Sequence, residues 1–323
     1  MSNNAEMERL AEDSIVVGIS ACLLGQPVRF DGGHKRAEFC ERELGQYFSF
    51  VPICPEMAIG LGVPRPSIRL VQRADGIHVE SGDGTQDVTI PLQAYAEQMS
   101  GQLTHLSGYI FCAKSPSCGM ERVRLYGAAG GAKVGVGLYA RVLMQRLPLL
   151  PVEEDGRLND PHLRENFVQR VFAYHDWQRL LASGLDRGKL IAFHSRYKYL
   201  LLAHHPAAYK EMGRYLATMS TLPLAHVAER YAAALMAALK VQASRKNHTN
   251  VLQHLQGYFK KYLSSQQKAE LHDTIDKYRR GLLPLLAPMT LLRHYLREYP
   301  NGYLEQQVYF SPYPEELALR YGL

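Results

Sequence analysis

The amino-acid sequence predicts an α/β amino-terminal domain with a parallel, Rossmann-like sheet, followed by an all-α carboxy-terminal domain. In the first half, short β-branched apolar runs alternate with segments whose apolar residues recur at helical intervals. From about residue 161 onward, only segments of the helical kind follow. The charge divides in the same way, because residues 1–160 hold 15 Lys and Arg against 19 Asp and Glu, whereas residues 161–323 hold 22 against 12. We therefore predict two domains, 1–160 and 161–323, with net charges of −4 and +10.

Three short apolar runs predict the strands of the first domain. They are "SIVVGIS" at 14–20, "YFSFVPICPE" at 47–56 and "GYIFCA" at 108–113. Before the third run, "PLQAYAEQMSGQLTHL" at 91–106 has the apolar spacing of a helix. Strands that alternate with helices form parallel sheets, and ligands of such sheets bind beyond the carboxyl ends of the strands.

Five segments of the second domain repeat apolar residues at intervals of three and four, which predicts helices. They are "HLRENFVQRVFAYHDWQRLLAS", "RGKLIAFHSRYKYLLLAHH", "LAHVAERYAAALMAALKVQA", "NHTNVLQHLQGYFKKYLS" and "QKAELHDTIDKYRRGLLPLL". Gly184, Pro206, Pro223 and Pro284 separate or end these segments.

The composition is that of an ordinary soluble protein, with 46% hydrophobic and 21% charged residues. The amino-terminal "MSNNAEMERLAEDS" is polar and acidic, and the sequence has no apolar stretch long enough to span a membrane. We therefore expect a cytoplasmic protein without a membrane partner. The five cysteines are an odd number in a long chain, which favours reduced or metal-bound thiols over a disulfide framework.

Three of the cysteines, Cys22, Cys54 and Cys118, follow the three apolar runs and are flanked by Gly or Pro. A single free cysteine is most often a buried structural residue. Glycine and proline, however, are used where the backbone bends or approaches a ligand closely. If the runs are parallel strands, the three thiols converge at one edge of the sheet. A metal cluster needs such an arrangement, in which neighbouring loops present several ligands at one place.

The segments around these cysteines, "SACLLG…VRFDGGHKR", "CPE…GLGVPRP" and "KSPSCG", resemble the three signature segments of the thiouracil desulfurase family. The second half, with "FHSRYKYLLLAHHP", "NVLQHLQGYFK", "YRRGLLPLLAP" and "EQQVYFSPYP", resembles the helical YbgA-type domain that is found fused behind that module. The combination is similar to bacterial tRNA 4-thiouridine desulfidases, in which the first domain carries the chemistry and the second is thought to hold the RNA.

The resemblance implies a 4Fe–4S cluster held by three cysteines, which match Cys22, Cys54 and Cys118, with one iron lacking a protein ligand. Such an iron is a Lewis acid for the thiocarbonyl sulfur of a thiolated uracil or uridine. The resemblance further implies that water adds to the ring carbon and that the C–S bond breaks without net redox change, giving uridine and hydrosulfide. The other cysteines, Cys40 and Cys112, are interpreted as structural, with Cys112 closer to the cluster.

Water addition needs a base and an acid, and the resemblance places the family's catalytic Glu and Ser at Glu56 and Ser115. Without the resemblance, Glu56 also fits a helix amino terminus, and Ser115 fits a turn, with Ser117 as the alternative serine. Two charged residues near the motifs, Asp31 and Lys114, are candidates for contact with substrate or phosphate, although a solvated surface explains them equally well.

Basic segments of the second domain are interleaved with Tyr and Phe, as in surfaces that neutralise phosphates and stack exposed bases. With the excess of positive charge, this pattern favours tRNA as partner, and DNA is not expected. The candidate contacts are Arg245, Lys246, Lys260, Lys261, Arg279 and Arg280. His194 and Lys198, four residues apart, are expected to line the RNA path or to brace the domain interface.

Three alternatives remain open from the residues. The chain acts on free thiouracil or a thionucleoside, with the helical domain as a scaffold, or it is a non-catalytic iron–sulfur RNA-binding sensor. A structural zinc protein is less favoured, because such sites usually need four ligands and C-x₂₋₄-C pairs, which the sequence lacks.

Overall fold

The computed structural model describes residues 14–128, 130–317 and 319, and it divides the chain into two compact units, Met1–Asp160 and Pro161–Leu323. Most of the polar amino-terminal segment that argued against an export signal, residues 1–13, lies outside the described residues. Within the described part of the chain, no helix combines the length and the apolar character that a membrane span requires.

The first unit contains eight described strands and three described helices. In chain order they are β1 Ile15–Ser20, β2 Phe48–Ile53, α1 Pro55–Ala58, β3 Ile68–Arg73, β4 Gly76–Ser81, α2 Thr89–Gln102, β5 Gly108–Phe111, β6 Val123–Gly127, β7 Gly130–Gly135, α3 Leu138–Arg146 and β8 Val152–Glu154.

Four of these strands form a parallel sheet in the order β2-β1-β5-β8. The three predicted apolar runs are β1, β2 and β5, and every residue of β5 is buried because the sheet is covered on both sides there. The predicted helix at 91–106 corresponds to α2. The prediction of an α/β domain with a parallel sheet is confirmed.

A second sheet, in the order β4-β3-β6-β7, mixes parallel and antiparallel pairs and was not predicted. Three of its strands alternate apolar and polar residues over only three or four positions, and β7 is a glycine-rich strand with five of its six residues exposed. So short an alternation is a weak signal, and pairing between distant segments decides these strands.

The second unit is helical, as predicted. Its described helices are α4 Pro161–Ala182, α5 Arg187–Arg196, α6 Lys198–His204, α7 Pro206–Ala217, α8 Leu224–Lys240, α9 Arg245–Tyr258, α10 Ser265–Arg279, α11 Leu286–Glu298 and α12 Gly302–Glu305. Aromatic rings form part of its core: Phe193 stacks on Tyr197 at 4.4 Å, and Trp177 lies 5.5 Å from both Phe193 and Tyr231.

Candidate active site

The three predicted cysteine ligands line one cavity of about 360 Å³ at the carboxyl edge of the parallel sheet. Cys22 lies in the 3₁₀ turn that follows β1, Cys54 directly follows β2, and Cys118 lies in the loop after β5. Since β1 is the neighbour of both β2 and β5, the loops that follow them meet. The structure thus brings together three thiols that are far apart in the sequence.

A fourth thiol lines the same cavity. Cys112 follows β5, and Cys22 is its neighbour on the cavity wall. Cys40 instead is buried in the π-helical turn Phe39–Glu43 and is not among the cavity-lining residues. The sequence analysis interpreted both residues as structural, and the structure separates them by position.

The environment of the thiols disfavours bare thiolates. Burial raises the pKa of Cys118 and of Cys54, and the interaction with the Cys22 thiol, together with burial, raises the pKa of Cys112. A bound metal would take the place of the protons, so metal binding at this site is coupled to proton release.

The donor type of the cavity bears on the kind of metal centre. Thiolates are soft ligands that bind iron–sulfur clusters as well as zinc. Three loops of the first unit bring thiols to one cavity, so the site has the ligand type that an iron–sulfur cluster requires.

Glu56 lies on the wall of the cavity and is held by a buried arginine that the sequence analysis missed. Arg65 donates to Glu56 Oε2 from Nη2 at 2.6 Å and from Nε at 3.1 Å, and its other hydrogen bonds include those to the backbone carbonyls of Gly62 and Val28. The side chains of Arg65 and Glu56 are 4% and 14% exposed. Arg65 belongs to the "GVPRP" part of a signature segment, and this position was the signal in the sequence that could have identified it as a site residue.

A chain of hydrogen bonds joins the predicted serine to the predicted glutamate through Ser117. Ser117 Oγ donates to Glu56 Oε1 at 2.6 Å and lies 2.9 Å from Ser115 Oγ. A hydroxyl has one proton, so when Ser117 donates to Glu56, the proton between the serines belongs to Ser115. Protons can therefore pass from Ser115 at the cavity wall to Glu56 by way of the fully buried Ser117.

Two glycines give the Cys118 loop its shape. A Cβ atom at Gly119 would lie 2.4 Å from Val123 Cγ2, and a Cβ at Gly137 would lie 2.6 Å from the Ser117 carbonyl group. Both separations are too short for any other residue without movement of the loop. The loop that carries Cys118 and Ser117 is therefore packed closely, which restrains both side chains.

Cationic residues also surround the cavity. Lys35, which lies on the wall, pairs with Asp155 at 2.8 Å; burial opposes its charge, but this hydrogen bond and the neighbouring cysteines raise the pKa of Lys35. Lys114 is an exposed wall residue with a backbone φ of 67°. Asp31 is not among the wall residues; it is exposed, accepts from the Gly33 N–H at 3.0 Å, and that hydrogen bond lowers its pKa.

We expect Arg65→Met to destabilise the first unit, because it leaves the Glu56 carboxylate buried without its charged partner. The expected loss is about 3 to 5 kcal/mol of unfolding free energy. Hydrogen exchange of the β1 and β5 amides measures this unit separately from the helical one.

The matched control is Arg36→Met. Arg36 pairs with Glu41 at 2.5 Å, but those side chains are 49% and 36% exposed, so the expected loss is below about 1 kcal/mol. Equal effects of the two substitutions would contradict the importance of the Arg65–Glu56 pair.

The six predicted RNA contacts of the second unit lie on α9, on α10 and in the turns that follow these helices. Arg245, Lys246 and Arg279 line an open polar groove together with Thr249, Asn250 and Gln253. Arg279 and Arg280 both pair with Asp276, at 2.6 and 2.8 Å. Lys260 and Lys261 are exposed in the turn after α9.

Comparison with known proteins gives each unit a family. Residues 17–155 match the model of a family described as 2-thiouracil desulfurase, and residues 198–314 match one described as "Protein of unknown function (DUF1722)". The "Uncharacterized protein YbgA" of Escherichia coli (strain K12) is 39% identical over 166 residues, which cover 51% of this chain and 98% of YbgA. A solved structure of the [4Fe–4S]-dependent thiouracil desulfidase TudS is 31% identical, covers 46% of this chain and 93% of TudS, and has a TM-score of 0.37.

The fold, the cavity of thiols and the match of residues 17–155 describe a 2-thiouracil desulfurase-type domain followed by a helical domain. The chain belongs to the YbgA family.

Proposed function

We propose that this protein is an iron–sulfur-dependent desulfidase that removes sulfur from 4-thiouridine in tRNA. The observation that carries the proposal is the single cavity in which Cys22, Cys54 and Cys118 lie beside Glu56 and Ser115. Metal ligation alone would not require the linked Ser115, Ser117 and Glu56, so the arrangement favours an enzyme over a sensor without turnover.

The ligands of a 4Fe–4S cluster in this proposal are Cys22, Cys54 and Cys118, as in the desulfurase resemblance. When bound, a cluster with three protein ligands supplies a Lewis-acidic iron for the soft thiocarbonyl sulfur of the substrate. The match of residues 17–155 to a family described as 2-thiouracil desulfurase and the three thiols on the wall of one cavity support this cofactor.

In the reaction, the oxygen of water forms a bond to the ring carbon, the C–S bond breaks, and sulfur leaves as hydrosulfide. No electrons are gained or lost overall, so the protein needs only to move protons. Ser115 holds the attacking water, and the proton passes through Ser117 to Glu56. Arg65 fixes the glutamate by binding Oε2, so that Oε1 accepts the hydrogen bond from Ser117. The hydrogen-bonded chain Ser115–Ser117–Glu56 is called here the serine relay.

The net charge of +10 of the second domain supports tRNA as the substrate. Anaerobically purified protein is incubated with thiolated tRNA, while the thiouridine absorbance and released sulfide are followed. We expect loss of the absorbance with release of an equal amount of sulfide. If thiolated tRNA remains unchanged while free thiouracil is consumed, tRNA is not the substrate.

The second candidate function is desulfuration of free thiouracil or a thionucleoside. The match of residues 17–155 to a family described as 2-thiouracil desulfurase favours it. In that case the helical domain contributes nothing to substrate affinity.

We expect the double substitution Lys260→Glu, Lys261→Glu to separate these candidates. If both lysines neutralise phosphates, the Michaelis constant for thiolated tRNA rises. The log–log slope of affinity against salt flattens by about 0.7 to 0.9 for each phosphate that is no longer neutralised. A free nucleoside has no phosphate backbone, so activity on free 4-thiouridine and the iron content should not change.

Lys210→Glu, Lys240→Glu is the matched control, because it reverses two exposed lysines on α7 and α8 of the same unit. An equal rise in the Michaelis constant would indicate a general effect of charge. If Lys260→Glu, Lys261→Glu leaves the Michaelis constant for thiolated tRNA unchanged, these lysines do not bind the RNA, and the small-molecule candidate is favoured.

A further inference from the structure

The second domain holds 15 of the 20 tyrosines, and the structure sorts them by burial. One group is buried and belongs to the core, including Tyr197, Tyr231 and Tyr309. Another group is not buried, although its rings stack in pairs. This group, called here the tyrosine row, consists of Tyr258, Tyr262, Tyr299 and Tyr303.

The tyrosine row consists of two near-parallel pairs. The rings of Tyr258 and Tyr303 are 6.0 Å apart at 21°, and those of Tyr262 and Tyr299 are 5.4 Å apart at 19°. Tyr258 and Tyr262 are four residues apart at the end of α9, and Tyr299 and Tyr303 are four residues apart around the start of α12. The two pairs therefore follow one another along these segments, and Tyr262 is 58% exposed.

Lysines accompany the row. Lys198 Nζ lies 5.0 Å from the ring centre of Tyr199 and 5.8 Å from that of Tyr303, and Tyr199 Oη hydrogen-bonds with Tyr258 Oη. At the other pair, Lys260 and Lys261 are exposed in the turn between Tyr258 and Tyr262.

The charge of these lysines is not neutralised locally. Within the described ranges, no ion pair joins Lys198, Lys260 or Lys261 to a carboxylate. On α10, by contrast, Lys277 pairs with Asp273, and Arg279 pairs with Asp276. An uncompensated positive surface beside exposed aromatic rings is complementary to a strand that carries both phosphates and bases.

We propose that the tyrosine row binds unpaired nucleotides of the RNA substrate, with bases stacked on the rings and phosphates near the three lysines. This inference rests on the proposed function, because it names the part of the RNA that the helical domain recognises. Base faces inside a duplex are covered by their neighbours, so stacking on tyrosine requires an unpaired segment. Lys198 thereby acquires a role in RNA binding.

The test compares two labelled RNA probes by fluorescence anisotropy: a single-stranded, uridine-rich ten-mer and a duplex of the same length. Tyr262→Leu, Tyr299→Leu should weaken binding of the single strand by about 5- to 150-fold, since each stacked base contributes measurably to affinity. Binding of the duplex should not change. Tyr262→Phe, Tyr299→Phe keeps the rings and should bind both probes as the wild type does.

Two controls accompany these variants. Tyr215→Leu removes a half-buried tyrosine of α7, whose ring lies under Arg230, and should bind the single strand normally. Lys260→Glu, Lys261→Glu should weaken both probes, because phosphates are present in both.

Three results would overturn the inference. In the first, the leucine variant binds the single strand as tightly as the wild type. In the second, the leucine variant binds both probes more weakly to the same extent, and the phenylalanine variant does not restore binding. The tyrosine row would then stabilise the fold and not bind RNA. In the third, the wild type binds neither probe; the RNA part of the proposed function then fails as well, whereas desulfuration of free 4-thiouridine and iron content still test its catalytic part.

Discussion

Replacing Cys22, Cys54 or Cys118 by alanine is expected to remove both iron and desulfuration activity. Anaerobically prepared wild-type protein should be brown and contain about four irons per chain, as a cluster of this type requires. In the proposed site, three soft thiol ligands would hold a cluster of four irons. Loss of one of these ligands would leave two of the irons without a protein ligand. Iron per chain and the visible absorbance measure the result independently of turnover.

The two remaining cysteines are the controls. Cys40→Ala should retain full iron, because Cys40 is not among the cavity-lining residues. Cys112→Ala is the sharper comparison, because Cys112 lines the same cavity as the three proposed ligands. Under the proposed ligand set it also keeps its iron. Full iron in Cys118→Ala, or iron loss in Cys112→Ala but not in Cys54→Ala, would refute that set.

Glu56→Ala is expected to keep the cluster and lose most of the turnover. General acid–base help typically contributes about 10²- to 10⁴-fold in rate, and Glu56 is the carboxylate at the end of the serine relay. Iron content and single-turnover release of sulfide, measured on the same preparation from pH 6 to 9, separate the two effects. Turnover at the wild-type rate throughout that range would mean that water or another carboxylate is the base.

The serines test the route of the proton. Ser115→Ala removes the hydroxyl at the cavity wall, and Ser117→Ala interrupts the link to Glu56, so both should retain iron and lose turnover. If Ser117→Ala turns over normally while Ser115→Ala does not, the proton reaches Glu56 without the relay. Ser183→Ala, an exposed serine of the helical unit, is the control for preparation and assay.

Much of the fold could be predicted because local patterns determine it. The runs at 14–20, 47–56 and 108–113 form strands of the parallel sheet, and the helical spacing after residue 161 corresponds to helices. Parallel strands share one carboxyl edge, so the position of each cysteine after a strand already predicted that the thiols meet. The mixed sheet escaped prediction because its strands alternate apolar and polar residues over too few positions, and β7 is rich in glycine.

The sequence by itself determined the secondary structure of the parallel sheet and of the helices, and it predicted the two domains and the residue types of the site. Only the tertiary structure decided which groups touch. Ser117 and Glu56 are 61 positions apart, Arg65 pairs with Glu56 of α1 from the loop that follows this helix, and the pairing of β1 with β5 brings Cys112 to the same cavity as Cys22. The physical reason is that strand and helix periods depend on neighbouring residues, whereas hydrogen bonds and ion pairs between loops depend on how distant segments pack.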